Sequence, residues 1–375
     1  MTKTLAPSLL AAAPSAAQLD EHPFVAEVRA HALEVLAPNA TRTDAHGVTV
    51  EGIEQLRALG ALRHSVPVAD GGLGLDAGVD RRVQEWIAYG DLNTWLVWTQ
   101  HATSLPRLLA LGAERGGLGP LGRSTVRGEA LLGAGLSDVR GFPDRFVRAE
   151  RTASGWRLDG AISWVSGWGL NSVLHVAAVE PETATVVIGL IPVDERTVGT
   201  PLDLQAARGS RTWRVELRGA ELAEDEVLTT LPWSDWNAAD LANSGDAHAG
   251  LFGLVFRVLD ELVEEGGDAH AVADAWAPVV HELRERAYGL TDANRASGIL
   301  GHLAEERADT KQRAIDALDA VTDALLTARA GRGLVGDDTA QLHARAALFL
   351  RVQSQTRTAR SRRLGVLAAR AASGR

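Results

Sequence analysis

The chain has 375 residues, enough to bury roughly three quarters of the surface its unfolded form exposes, so a stable core needs no disulfide or metal staple. It contains no cysteine, which excludes disulfides, thiolate metal sites and a cysteine nucleophile and gives no sign of an oxidising compartment. A formal charge of −10 argues against a general polyanion binder, because neutralising phosphates is what drives non-specific affinity for nucleic acid.

At the N-terminus, the Ala/Ser/Pro-rich stretch from Ala6 to Ala17 has a broken apolar run and Pro14, which suits a secretory signal poorly, and residues 1–21 read as a frayed lead-in. From Pro23 to about Gly128 the pattern is helical. Pro23 fits a first helical turn, and Ile53, Leu56 and Leu59 are spaced for one helix face before Gly60 stops it. The segment Ser65–Leu75, with Pro67 and a cluster of glycines, reads as a sharp irregular loop. Helices resume over Val83–Tyr89 and along Thr94–Leu111.

Between about Ala130 and Leu228 the period changes to that of strands. Phe146–Glu150 and Trp156–Trp164 flank Thr152-Ala153-Ser154-Gly155 and predict one hairpin; Val173–Val179 and Thr185–Val193 flank Glu180-Pro181-Glu182-Thr183 and predict another. Arg211–Leu217 is a further strand. Antiparallel strands joined by such turns point to a small barrel or sandwich.

After Trp236 the chain returns to helix. Leu251, Leu254, Val255, Val258, Leu259 and Leu262 follow the i, i+3, i+4, i+7 rule, and Gly266-Gly267 ends the run. Ala273–Tyr288, Ala314–Ala330 and Gln341–Ala372 repeat the behaviour around the polar break Gly331–Asp338, which predicts an antiparallel bundle. The arginines at 351, 357, 360, 362, 363 and 370 read as a solvated or subunit-facing helix surface. No window approaches the roughly 20 uninterrupted apolar residues of a membrane span, since even Leu251–Leu262 carries Arg257 and Asp260; a soluble, cytoplasmic protein is expected. The fold class is therefore α+β: a helical domain over 22–129, a central antiparallel β-barrel or sandwich over 130–230, and a C-terminal helix bundle over 231–375.

Four segments carry a resemblance. Leu56–Leu75 reads LRALGALRHSVPVADGGLGL, a helix, an apolar turn and a V-P-x-x-x-G-G-L-G stretch; Asp91–Gly112 reads as a mid-domain helix pair. Gly135-Leu136-Ser137-Asp138 then opens the β-domain, and Gly160-Ala161-Ile162-Ser163-Trp164-Val165-Ser166-Gly167 lies on a strand. In this order and spacing they resemble the acyl-CoA dehydrogenase family over about residues 22–372.

The resemblance implies a flavin-dependent oxidoreductase acting on an acyl-CoA or similar small organic substrate, with FAD, or alternatively FMN, as cofactor. It further implies cofactor contacts at Leu136, Ser137, Trp164, Val165 and Ser166, no metal, and a homodimer or homotetramer paired through the C-terminal bundle. The chemistry suits those residue types: an indole face offers an apolar wall for the flavin ring, and hydroxyl and backbone N–H groups offer hydrogen bonds at its polar edges. Ser166, two residues beyond Trp164, is expected on the same strand face.

The family's glutamate base is missing. Its two usual positions fall on Asn243 and Ser354, neither of which is a comparable base. Asp246 and His248 are candidates for a relocated base, and His101 for a group facing the cavity, as in flavin monooxygenases of this fold. Different chemistry, such as oxygenation, and a non-catalytic relative with a structural or regulatory role stand as alternatives.

Overall fold

The structure is a computed structural model that describes residues 8–12, 18–353 and 355–372. Ser354 and most of the lead-in over 1–21 lie outside the described residues. The chain divides into two compact units, Pro14–Trp236 and Asn237–Arg375 with Met1–Ala13.

The first unit begins with α1 (Pro23–His31), which continues through a π-helical turn into α2 (Ala37–His46). Then come α3 (Val50–Ala58), α4 (Ala77–Gly90), α5 (Leu92–Ala102), α6 (Leu105–Glu114) and α7 (Pro120–Val126). Side-chain caps set several starts: Thr49 accepts from Gly52 N at 3.1 Å, and Asp76 accepts from Val79 N at 2.9 Å. Asp91 ends α4 and starts α5, accepting from Thr94 N at 2.9 Å and from the Thr94 hydroxyl at 2.6 Å. The helix pair expected over Asp91–Gly112 is present, broken at Thr103-Ser104 just before Pro106, whose ring and missing N–H suit the first turn of a new helix. Trp86, Trp95 and Trp98 fill the helical core.

The loop over Ser65–Leu75 doubles back tightly, with Gly74 N donating to Val66 O at 2.8 Å and Leu75 N to His64 O at 2.9 Å. A Cβ at Gly72 would lie 2.0 Å from the Val66 carbonyl oxygen, so the close approach demands glycine there.

Eight strands form one mixed sheet: β1 (Leu132–Gly135), β2 (Arg148–Thr152), β3 (Gly155–Val165), β4 (Val173–Glu180), β5 (Thr185–Pro192), β6 (Thr197–Pro201), β7 (Trp213–Ala223) and β8 (Val227–Pro232). Their order is β6-β7-β3-β2-β4-β5-β8, with β1 lying parallel against β4 and most other pairs antiparallel. Both expected hairpins are present, Thr152 pairing with Gly155 and Glu180 with Thr185. Leu158, Ile162 and Val165 of β3 meet Val176 of β4, Val187 of β5 and Val215 of β7 in one apolar core, so the sheet folds over on itself.

The second unit is a bundle of α9 (Ala249–Glu265), α10 (Gly267–Ser297), α11 (Ala304–Arg329), α12 (Thr339–Val352) and α13 (Arg357–Ala372), after the end of α8 (Trp233–Asn243). The expected stripe of α9 is buried, and Gly266 ends it at φ +74°. The segment Gln341–Ala372 is two helices, interrupted after Val352. Among the described residues, no helix is long and apolar enough to cross a membrane.

Candidate functional site

The turn after β1 is held against β3 by one carboxylate. Asp138, buried in the 3₁₀ turn Ser137–Gly141, accepts from Ser163 N at 2.8 Å and from the Ser163 hydroxyl at 2.6 Å, with Arg145 3.6 Å away. Hydrogen bonds to an ionised acceptor are shorter and stronger than neutral ones, so this pair fixes the turn beside the end of β3. Leu136 packs half-buried on the cluster of Val139, Ala177 and Val179, while Ser137 is exposed. Asp138 stands out in sequence only as the acid after Leu136-Ser137; its partner lies 25 residues on.

Next to Ser163, Trp164 is 47% exposed, so its indole stands outside the strand layer. Val165 is fully buried in the sheet core, which leaves only its backbone available to a ligand. Ser166 does not share the face of Trp164. The ladder to β7 shifts register between Ile162 and Val165, β3 ends there, and the Ser166 side chain turns inward. Its hydroxyl lies 2.8 Å from Thr212 Oγ1, which lies 2.7 Å from Ser210 Oγ, which donates to Ala207 O at 2.7 Å. Gly167, at φ +77°, makes the turn that follows, and Asn171 Nδ2 donates to the Ser166 carbonyl at 3.0 Å.

His101 is fully buried rather than facing a cavity. Its Nδ1 accepts from Leu132 N at 3.2 Å, so the ring hydrogen sits on Nε2, which donates to Leu62 O at 2.7 Å. Burial pushes its pKa down to about 4, and the neutral ring ties α5 to the turn after α3 and to β1. Asp246 forms an ion pair with Arg307 at 2.7 Å. His248 precedes α9, and burial followed by the charge of Lys311 pushes its pKa down to about 3. Asn243 ends α8, exposed, and donates to Ala239 O at 2.9 Å.

The second unit contains a cavity of about 370 Å³, walled by Leu241 and Ala242 of α8, Ala308 and Ile315 of α11, and Gln355 and Val366 near the C-terminus. The chain on either side of Asn243 and of position 354 lines this one cavity, so both segments assigned to the family base border it. Its rim is charged: Lys311 Nζ donates to Ser244 O at 3.0 Å, Arg363 pairs with Asp316 at 2.8 Å, and Arg362 with Glu305 at 2.6 Å.

One residue escaped the sequence reading. His175 on β4 is 1% exposed, and neither ring nitrogen has a hydrogen-bond partner; burial, then the charge of Arg107, push its pKa down to about 3. The apolar run around it gave no signal. Among the described residues, no group of three or more His, Asp or Glu could hold a metal ion.

Residues 19–115 match the family model described as "Acyl-CoA dehydrogenase, N-terminal domain". No curated protein sequence matches the chain. Among solved structures, a glutaryl-CoA dehydrogenase of Mycobacterium smegmatis in complex with FADH2 superposes with a TM-score of 0.76 at 17% identity, over 99% of each chain. Butyryl-CoA dehydrogenase of Megasphaera elsdenii gives 0.75 at 16% identity, over 92% of this chain and 97% of that one. PigA, solved with FAD and proline, gives 0.73 at 14% identity, over 91% and 96%.

The fold is therefore that of the acyl-CoA dehydrogenases, with a helical region, a central mixed sheet and a second helical region in that order. Its N-terminal helices, over residues 19–115, match the N-terminal domain of that family.

Proposed function

We propose that the protein is a flavin-dependent oxidoreductase that binds FAD against the end of β3 and acts on an acyl-CoA or similar small organic substrate. The observation that carries this reading is the half-exposed indole of Trp164 beside a turn fixed by Asp138. A flat tricyclic ring needs an apolar wall and hydrogen-bonding groups at its edge. Trp164 offers the wall, Leu136 an apolar neighbour, and the exposed Ser137 hydroxyl and the backbone of Val165 the polar contacts. FAD, when bound, supplies hydride-transfer chemistry. The role of the chain is to hold and orient: Asp138 keeps Ser137 and Trp164 in a fixed relation, which spares the ligand the cost of ordering them.

The FADH2 and FAD in two of the superposed structures support FAD over FMN. The substrate is open to more than thioesters, because the superposed proteins include two acyl-CoA dehydrogenases and one solved with proline. The 370 Å³ cavity is a candidate substrate pocket, in the range of small-molecule sites. We also expect a homo-oligomer, paired through the C-terminal bundle.

A second reading, a non-catalytic relative, draws support from the acid–base residues. Asn243 is an amide, Asp246 is engaged with Arg307, and His248 stays neutral near pH 7. A positioned base contributes about 10²–10⁴-fold, so its loss is felt in turnover and not in flavin binding. Titrating cofactor-free protein with FAD and following flavin fluorescence tests the leading reading. Saturable uptake that weakens at least tenfold in Trp164→Ala is expected; no uptake, or uptake indifferent to that change, sinks it.

A further inference from the structure

The 370 Å³ cavity of the second unit is basic, although the chain as a whole carries a formal charge of −10. Five cations line it, Lys311 and Arg313 of α11, Arg351 of α12, and Arg362 and Arg363 of α13, against three carboxylates, Glu305, Asp309 and Asp316. The balance stays positive when Asp319 is added, which pairs with Arg351 at 2.6 Å from outside the lining. Two of the guanidiniums are incompletely matched. Arg351 gives Nη2 to Asp319, yet its Nε is buried with no hydrogen-bond partner among the described residues. The Arg363 side chain is 13% exposed, and its Nη1 lies 2.8 Å from Asp316 Oδ1 without the alignment of a hydrogen bond. That same oxygen receives Gln312 Nε2 at 3.0 Å. A buried cationic N–H without an aligned acceptor is costly, so a ligand that brings an anionic oxygen to it is favoured. Ala308, Ile315 and Val366 give the cavity an apolar wall as well.

Resting on the reading of this cavity as a substrate pocket, we propose that it takes a small organic acid as the free carboxylate, the anion on the wall of Arg351 and Arg363 and the apolar body against Ala308, Ile315 and Val366. A guanidinium presents its N–H groups in a planar fork that matches a carboxylate, and hydrogen bonds between two charged groups are stronger than neutral ones. An uncharged acyl chain would fill the same volume and leave the N–H groups of Arg351 and Arg363 without an anion, so the arginines favour an acid over its amide or ester. A bare phosphate would satisfy the arginines and leave the apolar wall uncovered. Tight binding therefore needs both ends of the ligand, a charged head and an apolar body.

The test is calorimetric titration of the full-length protein with sodium octanoate, octanamide and inorganic phosphate at one fixed ionic strength. Octanoate is expected to bind at one site per chain, at least about tenfold more tightly than either of the others, the scale of one charge-assisted hydrogen bond. Arg363→Gln and Arg351→Gln are each expected to weaken octanoate about tenfold and to leave octanamide unchanged. Ala308→Trp, which fills the cavity, is expected to abolish octanoate binding. Should Arg363→Gln fail to fold, Arg351→Gln carries the same comparison from the other helix. Octanoate bound no better than octanamide, phosphate bound as well as octanoate, or octanoate affinity indifferent to the variants that fold overturns the proposal. Flavin uptake, measured separately on the same preparation, keeps the two claims apart: a protein that takes up FAD and ignores octanoate loses only the acid pocket. One that binds octanoate as expected and takes up no flavin keeps the acid site and loses the oxidoreductase reading.

Discussion

Replacing Glu261 by Gln removes the charge at the centre of the helix bundle. Glu261 on α9 is 3% exposed; its Oε1 receives Arg257 Nε at 2.7 Å and His343 Nε2 at 2.9 Å, and its Oε2 lies 2.7 Å from Arg329 Nη2. Burial alone pushes the carboxyl up, but His343, Arg257 and the Thr339 hydroxyl hold it well below the ordinary carboxylate range. Breaking a buried pair on one side costs about 3–5 kcal/mol. The lower end applies, because Arg329 keeps Glu265 and Asp338 at 2.8 Å each and Arg257 is partly exposed.

A loss of about 3 kcal/mol lowers the melting temperature by roughly 6–12 °C in a unit of this size. Because the folded-state pKa is depressed, the stabilisation is complete above the unfolded carboxylate value near 4.3 and is lost as pH falls through the folded value. Thermal unfolding by circular dichroism should therefore show the full gap at about pH 7 and a narrowing gap below about pH 4. Equal melting temperatures at pH 7, or a gap that stays constant into acid, would refute the assignment.

Three further changes follow from the first unit. His175→Leu removes a buried ring with two unsatisfied nitrogens, each costing about 1–3 kcal/mol, and should raise the melting temperature by several degrees; a fall would mean the ring has a partner. His101→Phe strands Leu132 N–H and Leu62 C=O, so urea unfolding should show a loss of about 2–4 kcal/mol. The wild type should also lose stability as pH drops from about 6.5 towards 4, since the lowered folded-state pKa of His101 makes the unfolded chain the better proton acceptor. His101→Phe should flatten part of that slope, and an unchanged slope would count against it. Asp138→Ala should cost about 2 kcal/mol and speed hydrogen exchange at the Ser163 amide, with Asp138→Asn milder because it keeps one acceptor; an unaltered exchange rate at Ser163 would show that the turn does not need the carboxylate.

The order of helix, sheet and helix was legible because periodicity is local, and the stripe of α9 or the hairpin at Thr152–Gly155 needs no distant partner. Strands β1, β6 and β8 were missed for a physical reason. LGAG, TVGTP and VLTTLP are short and rich in glycine or closed by proline, and pairing, not propensity, makes them strands. The parallel pairing of β1 with β4 likewise depends on residues some forty positions apart.

At the site, Trp164 is half exposed, and the inward turn of Ser166 depends on a bulge that no residue pattern announces. The partners of His101 are backbone groups at Leu62 and Leu132, which no residue pattern identifies. Asp138 became meaningful only once Ser163 was beside it.

The most direct measurement is the absorbance spectrum of the freshly purified protein, followed by mass spectrometry of any small molecule released on denaturation. Flavin bands in the visible and near ultraviolet, with the mass of FAD in the released fraction, are the expected result. A colourless protein that stays colourless after incubation with FAD or FMN contradicts the claim that the end of β3 is a flavin wall.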